Sequence, residues 1–326
     1  MDYSDNPMRP RHRFWFGPMT MIQFLSDTGL LPGTSHDISM YAAKLGIQGA
    51  LQDIQNTHPT DLVSMILFSR PHYQGEPADA GNFSQAQYQL SNDYAGMINS
   101  LWFPPNSSKL DVRPFDTNGI QTPRAHGDYT GNTATDYGLM LSYNQFSAAS
   151  YSPGLGGLGR KGSQRLIILE TDGMANVVSN AGFTKSVSGT TNKSYYKIGP
   201  SDTVTVGSGS AGTAALNVAT KLCALTTDST NGPGFATPTQ PVILHVIAFG
   251  AIFEDVTPPP AEQVTGMALF QSLSKIGGTG FPASVSDTSD PNAYKIVTGT
   301  IDERRDKLKQ AFITIMDSSI PVSLIK

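Results

Sequence analysis

The sequence predicts an α/β protein built on an open, mostly parallel, doubly wound sheet with helices on both faces. Three observations predict it. Residues 61–69, 165–170 and 242–249 are apolar almost throughout, the pattern of strands covered on both faces rather than of strands with a wet side. Segments of helical periodicity lie between and after these runs. Strand and helix alternate to near the C-terminus, the order that builds a parallel sheet.

The first helix is predicted over residues 38–54, where Met40, Ala43, Ile47, Ala50, Leu51 and Ile54 form one apolar stripe. Gly46 and Gly49 weaken it and permit a close approach by another backbone. The strand at 61–69 follows. Residues 70–130 read as a long irregular insertion rich in Asn, Gln, Tyr and Pro, with one short helix at 93–102. A helix over 133–146 precedes the strand 165–170, which runs into Thr171-Asp172-Gly173. Residues 179–212 form a second, Ser/Thr/Gly-rich insertion, a rim decoration in which 194–198 and 203–206 are expected to pair as a hairpin.

A helix at 213–226 leads to the strand 242–249, and another at 261–276 follows Pro258-Pro259-Pro260. A short strand at 294–297 comes next. The capping box Thr300-Ile301-Asp302-Glu303 then opens a last helix with Leu308, Ala311, Phe312 and Ile315 on one face. With no internal repeat and no second core, the reading is one domain over 38–320, an irregular segment 1–37 before it and a tail 321–326.

Composition narrows the function. A net charge of −4 leaves no basic surface to neutralise a phosphate backbone, which argues against nucleic acid as a partner. The single cysteine, Cys223, lies on the apolar face of its helix and reads as a buried structural thiol. No run approaches the roughly 18 apolar residues of a membrane span, and residues 1–13 lack a signal-peptide apolar region. The expectation is a chain without an export address of its own, whose low charge suits a surface or periplasmic protein anchored by an upstream part.

In an open α/β sheet, ligands sit at the carboxyl ends of the strands, where Thr171-Asp172-Gly173-Met174-Ala175-Asn176 stands. Upstream, Gly131-Asn132-Thr133 opens a helix and puts the Thr133 hydroxyl at its N-terminus. Hydroxyl and carboxylate oxygens are hard ligands suited to Mg²⁺ or a similar cation. Each residue also has a simpler reading, Asp172 as a turn residue and Thr133 as an N-cap. Gly154-Leu155-Gly156-Gly157-Leu158-Gly159 matches a dinucleotide fingerprint in letters only, because it precedes a strand instead of following one. His12, His36, His58, His72 and His126 lie apart in loops, and His245, inside a strand, reads as a satisfied core histidine.

These features together resemble the von Willebrand factor A family. The helix and strand at 38–69 look like its first helix and second strand. Gly131-Asn132-Thr133 with Gly138-Leu139 looks like its metal-site threonine loop, and 166–173 looks like its fourth strand ending in Thr-Asp-Gly. The resemblance, spanning about 38–320, implies a non-catalytic adhesion module of a surface or tight-adherence pilus-assembly protein. Thr133 and Asp172 would then help ligate Mg²⁺, Mn²⁺ or Ca²⁺, and a protein partner's acidic group would complete the shell.

The family's Asp-x-Ser-x-Ser segment, which supplies the remaining ligands after the central strand, is absent from the sequence. Asp2-Tyr3-Ser4-Asp5 and Asp37-Ile38-Ser39-Met40 come near it, and neither has the second serine. The expectation is a chain that starts just after the first strand, its place empty or taken by residues 14–16, 19–25 or another chain. Two alternatives stand beside the adhesion reading: a metal-dependent hydrolase or phosphoryl-transfer enzyme using Asp172, and a metal-free scaffold.

Overall fold

The computed structural model describes residues 38–68, 85–102, 133–147, 163–188, 191–198, 205–225 and 241–319. In chain order it runs α1 (Ile38–Thr57), β1 (Val63–Leu67), β2 (Gln85–Ser91), α2 (Tyr94–Trp102), α3 (Thr135–Phe146) and β3 (Leu166–Thr171). Four short strands follow: β4 (Ser179–Asn180), β5 (Phe183–Ser188), β6 (Thr191–Tyr196) and β7 (Thr205–Val206). Then come α4 (Ala211–Cys223), β8 (Ile243–Phe249), α5 (Ala261–Ile276), β9 (Ile296–Val297) and α6 (Ile301–Ser319).

Strands β3, β8 and β9 form a parallel sheet in that order, with Leu166 opposite Ile243 and Phe249 opposite Val297. Because successive side chains of a strand point to opposite faces, the apolar runs divide between two cores. Ile167 and Leu169 of β3 join Leu244, Val246 and Ala248 of β8 in one core, under α3, α4 and α5. Leu166 and Ile168 join Ile247 and Phe249 in the other, under α1 and α6. That is the two-sided α/β arrangement expected from the apolar runs, and it explains why these strands carry no polar side.

β1 is likewise covered on both sides, with Ile66 and Phe68 toward the first core and Met65 toward a third cluster built from α1 and α2. It pairs antiparallel with β2 and is not part of the parallel sheet. Among the described residues no strand pairs with β3 on the side away from β8, the place where a first strand was expected to be missing or replaced. Residues 14–16 and 19–25, the candidates for that place, lie outside the described residues, as do the glycine run 154–159 and Asp2, His12, His36, Asp37, His72 and His126.

Two local readings change. Gln85–Ser91, read as irregular, is a strand, and its alternation of Gln85, Gln87 and Gln89 with Ala86, Tyr88 and Leu90 is the signal that was there to use. The segments 194–198 and 203–206 do not pair with each other: β6 pairs with β5, and β7 pairs with β4. Nor is this insertion only decoration, since Tyr196 and Ile198 are buried in the first core and Tyr143 packs edge-on against Tyr196 at 5.2 Å. Cys223 is half-buried, and burial pushes its thiol up to about 11, which keeps it protonated and inert as a nucleophile. No helix among the described residues is long and apolar enough to cross a membrane.

The glycines of α1 do what their size permits, although their neighbours are side chains of α6 and not its backbone. A Cβ at Gly46 would stand 2.8–3.0 Å from the Leu308 side chain, and one at Gly49 would meet the Lys309 stem at 2.9 Å. Leu308 is wholly buried and cannot yield, so Gly46→Val is expected to cost about 1–3 kcal/mol of stability by overpacking. At Gly49 the neighbour is a flexible stem, and Gly49→Ala should be neutral or gain up to about 1 kcal/mol of helix propensity. Urea unfolding of both variants checks the contrast, and equal losses would refute it.

Candidate functional site

β3 ends at the carboxyl edge of the sheet, and the loop that leaves it folds back tightly. The buried Thr171 hydroxyl donates to the Gly173 carbonyl at 3.0 Å and accepts the Gly173 N–H at 3.3 Å. The turn is therefore closed by Thr171, leaving the exposed Asp172 at its apex. Further along, Met174 lies against α5, its Cγ 3.6 Å from where a Cβ of Gly266 would be.

Thr133 reaches the same place from α3. The helix begins at Thr135, two residues later than its spacing suggested, with Ala134 as the N-cap and no side-chain capping bond, so the Thr133 hydroxyl is not spent on capping. Its backbone is held by the other loop: Thr133 N–H donates to Asn176 Oδ1 at 2.6 Å, and Asn176 N–H donates to the Thr133 carbonyl at 3.1 Å. A Cβ on Gly173 would sit 3.7 Å from Thr133 Oγ1, so glycine keeps the space beside that hydroxyl open. The structure thus brings the Thr133 segment and the loop that carries Asp172 together.

A residue that sequence reasoning missed ties the same two segments together from within the core. Asp136, in the first turn of α3, is wholly buried; one carboxylate oxygen accepts the Tyr137 N–H at 2.8 Å and the other the Ser179 N–H at 2.7 Å. Burial pushes its carboxyl up to about 6, against the pull of those N–H groups toward the ionised form. The Tyr196 hydroxyl is raised in turn, by burial first and then by the charges of Tyr143 and Asp136. A carboxylate directly before the run Tyr137, Leu139, Met140 and Leu141, all buried, was the available sign that Asp136 points inward.

The donors suit a hard cation in kind and fall short in number. Thr133 and Asp172 offer one hydroxyl and one carboxylate, against the roughly six oxygens Mg²⁺ takes. Among the described residues no group of three or more His, Cys, Asp or Glu side chains could hold a metal.

The remaining candidates do not join the site. His245 is buried in β8, with Nε2 3.3 Å from Ser319 Oγ and Nδ1 without a partner among the described residues, so it is half satisfied rather than fully. Burial, and then the nearby Lys295 charge, hold its imidazole down to about 4. His58 closes α1, and its carbonyl accepts the Tyr94 hydroxyl at 3.0 Å.

No family model matches the chain and no curated protein matches it significantly. Among solved structures the chain is similar to the pilus adhesin SpaC from Lactobacillus rhamnosus GG, at 14% identity and a TM-score of 0.43. The superposition covers 87% of this chain and 28% of that adhesin.

Proposed function

We propose that the chain is a non-catalytic protein-interaction module of the von Willebrand factor A type, serving adhesion or pilus assembly within a longer exported protein. One observation carries the reading: Thr133 and the Asp172 loop, far apart in sequence, are joined at the carboxyl end of the parallel sheet by reciprocal hydrogen bonds. The joined segments carry a hydroxyl, on Thr133, and an exposed carboxylate, on Asp172. A divalent cation held there, with water and oxygens from elsewhere filling its shell, would attract an acidic side chain on a partner protein.

Calorimetric titration with Mg²⁺ and Mn²⁺ tests this. The chain should bind one ion weakly, and Asp172→Ala, which removes the only carboxylate of the pair, should abolish detectable binding while the chain stays folded by circular dichroism. Because no larger cluster of ligands exists among the described residues, a metal-free scaffold is the second reading. It is the one that stands if the unsubstituted chain binds neither ion.

A further inference from the structure

The loop after β3 is fastened to the start of α3 twice, at matching intervals. Thr133 pairs with Asn176, and three residues on along both segments Asp136 pairs with Ser179. The two fastenings differ in kind. Asp136 is wholly buried and binds the loop where β4 begins, so it belongs to the core. Asn176 is exposed, and it grips the backbone of Thr133 from both sides, through its side-chain oxygen and its own N–H.

An exposed side chain with a 2.6 Å bond across 43 residues adds little to core packing. What it does fix is the backbone of the residue whose hydroxyl lies beside Gly173. The Thr171 hydroxyl fixes the other half by closing the turn at Gly173. Each half of the rim is therefore set by a bond to backbone, and Asn176 ties the loop that follows the Thr171 turn to Thr133.

We propose that Asn176 is a positioning residue: its clasp on Thr133 holds the threonine hydroxyl and the Asp172 carboxylate in register before any ligand arrives. The proposal rests on the interaction-site reading above for its consequence, and on the clasp alone for its geometry. Residues that orient ligating groups commonly change metal affinity by about 10–100-fold when lost, without themselves touching the ion. The same outcome is expected here for a residue that holds the threonine by its backbone.

The experiment uses the full chain with Mn²⁺ as the probe and two readouts. Amide hydrogen exchange at Thr133 reports the clasp without any metal, and Mn²⁺ titration reports its consequence. Asn176→Ala should speed exchange at Thr133 and weaken Mn²⁺ binding by about tenfold or more, with the melting temperature little changed. Asn176→Asp keeps the accepting oxygen and should restore slow exchange at Thr133. If the alanine variant does not fold, Asn176→Ser, too short to reach the Thr133 N–H, takes its place.

Unchanged exchange at Thr133 in the alanine or serine variant overturns the proposal. So does faster exchange accompanied by unaltered Mn²⁺ affinity. Failure of the unsubstituted chain to bind Mn²⁺ overturns instead the cation reading of the site, and the exchange result then decides the clasp by itself.

Discussion

Gly277→Ala should destabilise the chain by about 3 kcal/mol or more, the upper end of what overpacking a core costs. Gly277 ends α5 with ordinary helical backbone angles, φ −74° and ψ 0°, so the penalty is one of space and not of conformation. Its carbonyl accepts the Leu244 N–H at 3.3 Å, which seats the helix end directly on β8. A Cβ there would lie 2.5 Å from Leu244 Cβ and 2.7 Å from Leu244 N, and would run into the Leu244 carbonyl oxygen. Backbone in the middle strand of a parallel sheet cannot retreat, so α5 would have to move.

The neighbouring glycine supplies the control. Gly278 has φ +71° and open space around its missing side chain. Gly278→Ala therefore meets only the strain of a left-handed residue, about 1 kcal/mol or somewhat more. Against a whole-domain stability of about 5–15 kcal/mol, chemical denaturation resolves the two easily. Equal losses, or the reverse order, would show that the contact with β8 is not what selects glycine at 277.

The second large effect is in the pH dependence of stability. Asp136, pushed up from 3.8 to about 6, keeps its proton in the folded chain where the unfolded chain has released it. Its contribution is complete at acid pH and is lost as pH rises from about 4 through about 6. The loss is roughly 3 kcal/mol, because each tenfold difference in proton affinity between folded and unfolded chain is worth about 1.4 kcal/mol. His245, held down from 6.5 to about 4, does the opposite. The unfolded chain takes up that proton first, so stability is lost as pH falls through the same window, again by roughly 3 kcal/mol.

The two slopes oppose each other, and the unsubstituted chain should show nearly constant stability between about pH 4 and 6.5. Lys44 and Lys295, both lowered to about 8 by burial, titrate above this window. Removing one partner should expose the other. His245→Gln should become more stable as the solution is acidified from pH 6.5 to 4, and Asp136→Asn less stable. Urea midpoints measured at half-unit intervals would decide it, and parallel profiles for the two variants would rule the compensation out.

The sheet was legible because burial on both faces leaves an unambiguous mark: Leu166 to Leu169 and Leu244 to Phe249 serve two cores at once and have room for few polar side chains. Strand existence was easier to read than strand partnership. The Ser/Thr-rich insertion offered several short extended segments, and nothing local says that Tyr196 pairs with Phe183, or Val206 with Ser179. Thr133 and Asp172 were proposed from the order of motifs. Asn176 and Asp136 were not, because their roles consist of hydrogen bonds to backbone in another segment, and a backbone N–H carries no letter in the sequence.

Helix α1 buries its small face against α6, which comes from the far end of the described chain. A ribosome adding about 5–20 residues per second completes α6 on the order of tens of seconds after α1 has emerged. Throughout that interval Ala42, Ala43 and the notch at Gly46 have no α6 to rest on, and the face of β3 bearing Leu166 and Ile168 lacks half its cover. Long-range closure of this kind slows folding and leaves apolar surface open to other chains meanwhile. Production of the protein should consequently depend more on the integrity of its last helix than on any residue at the rim.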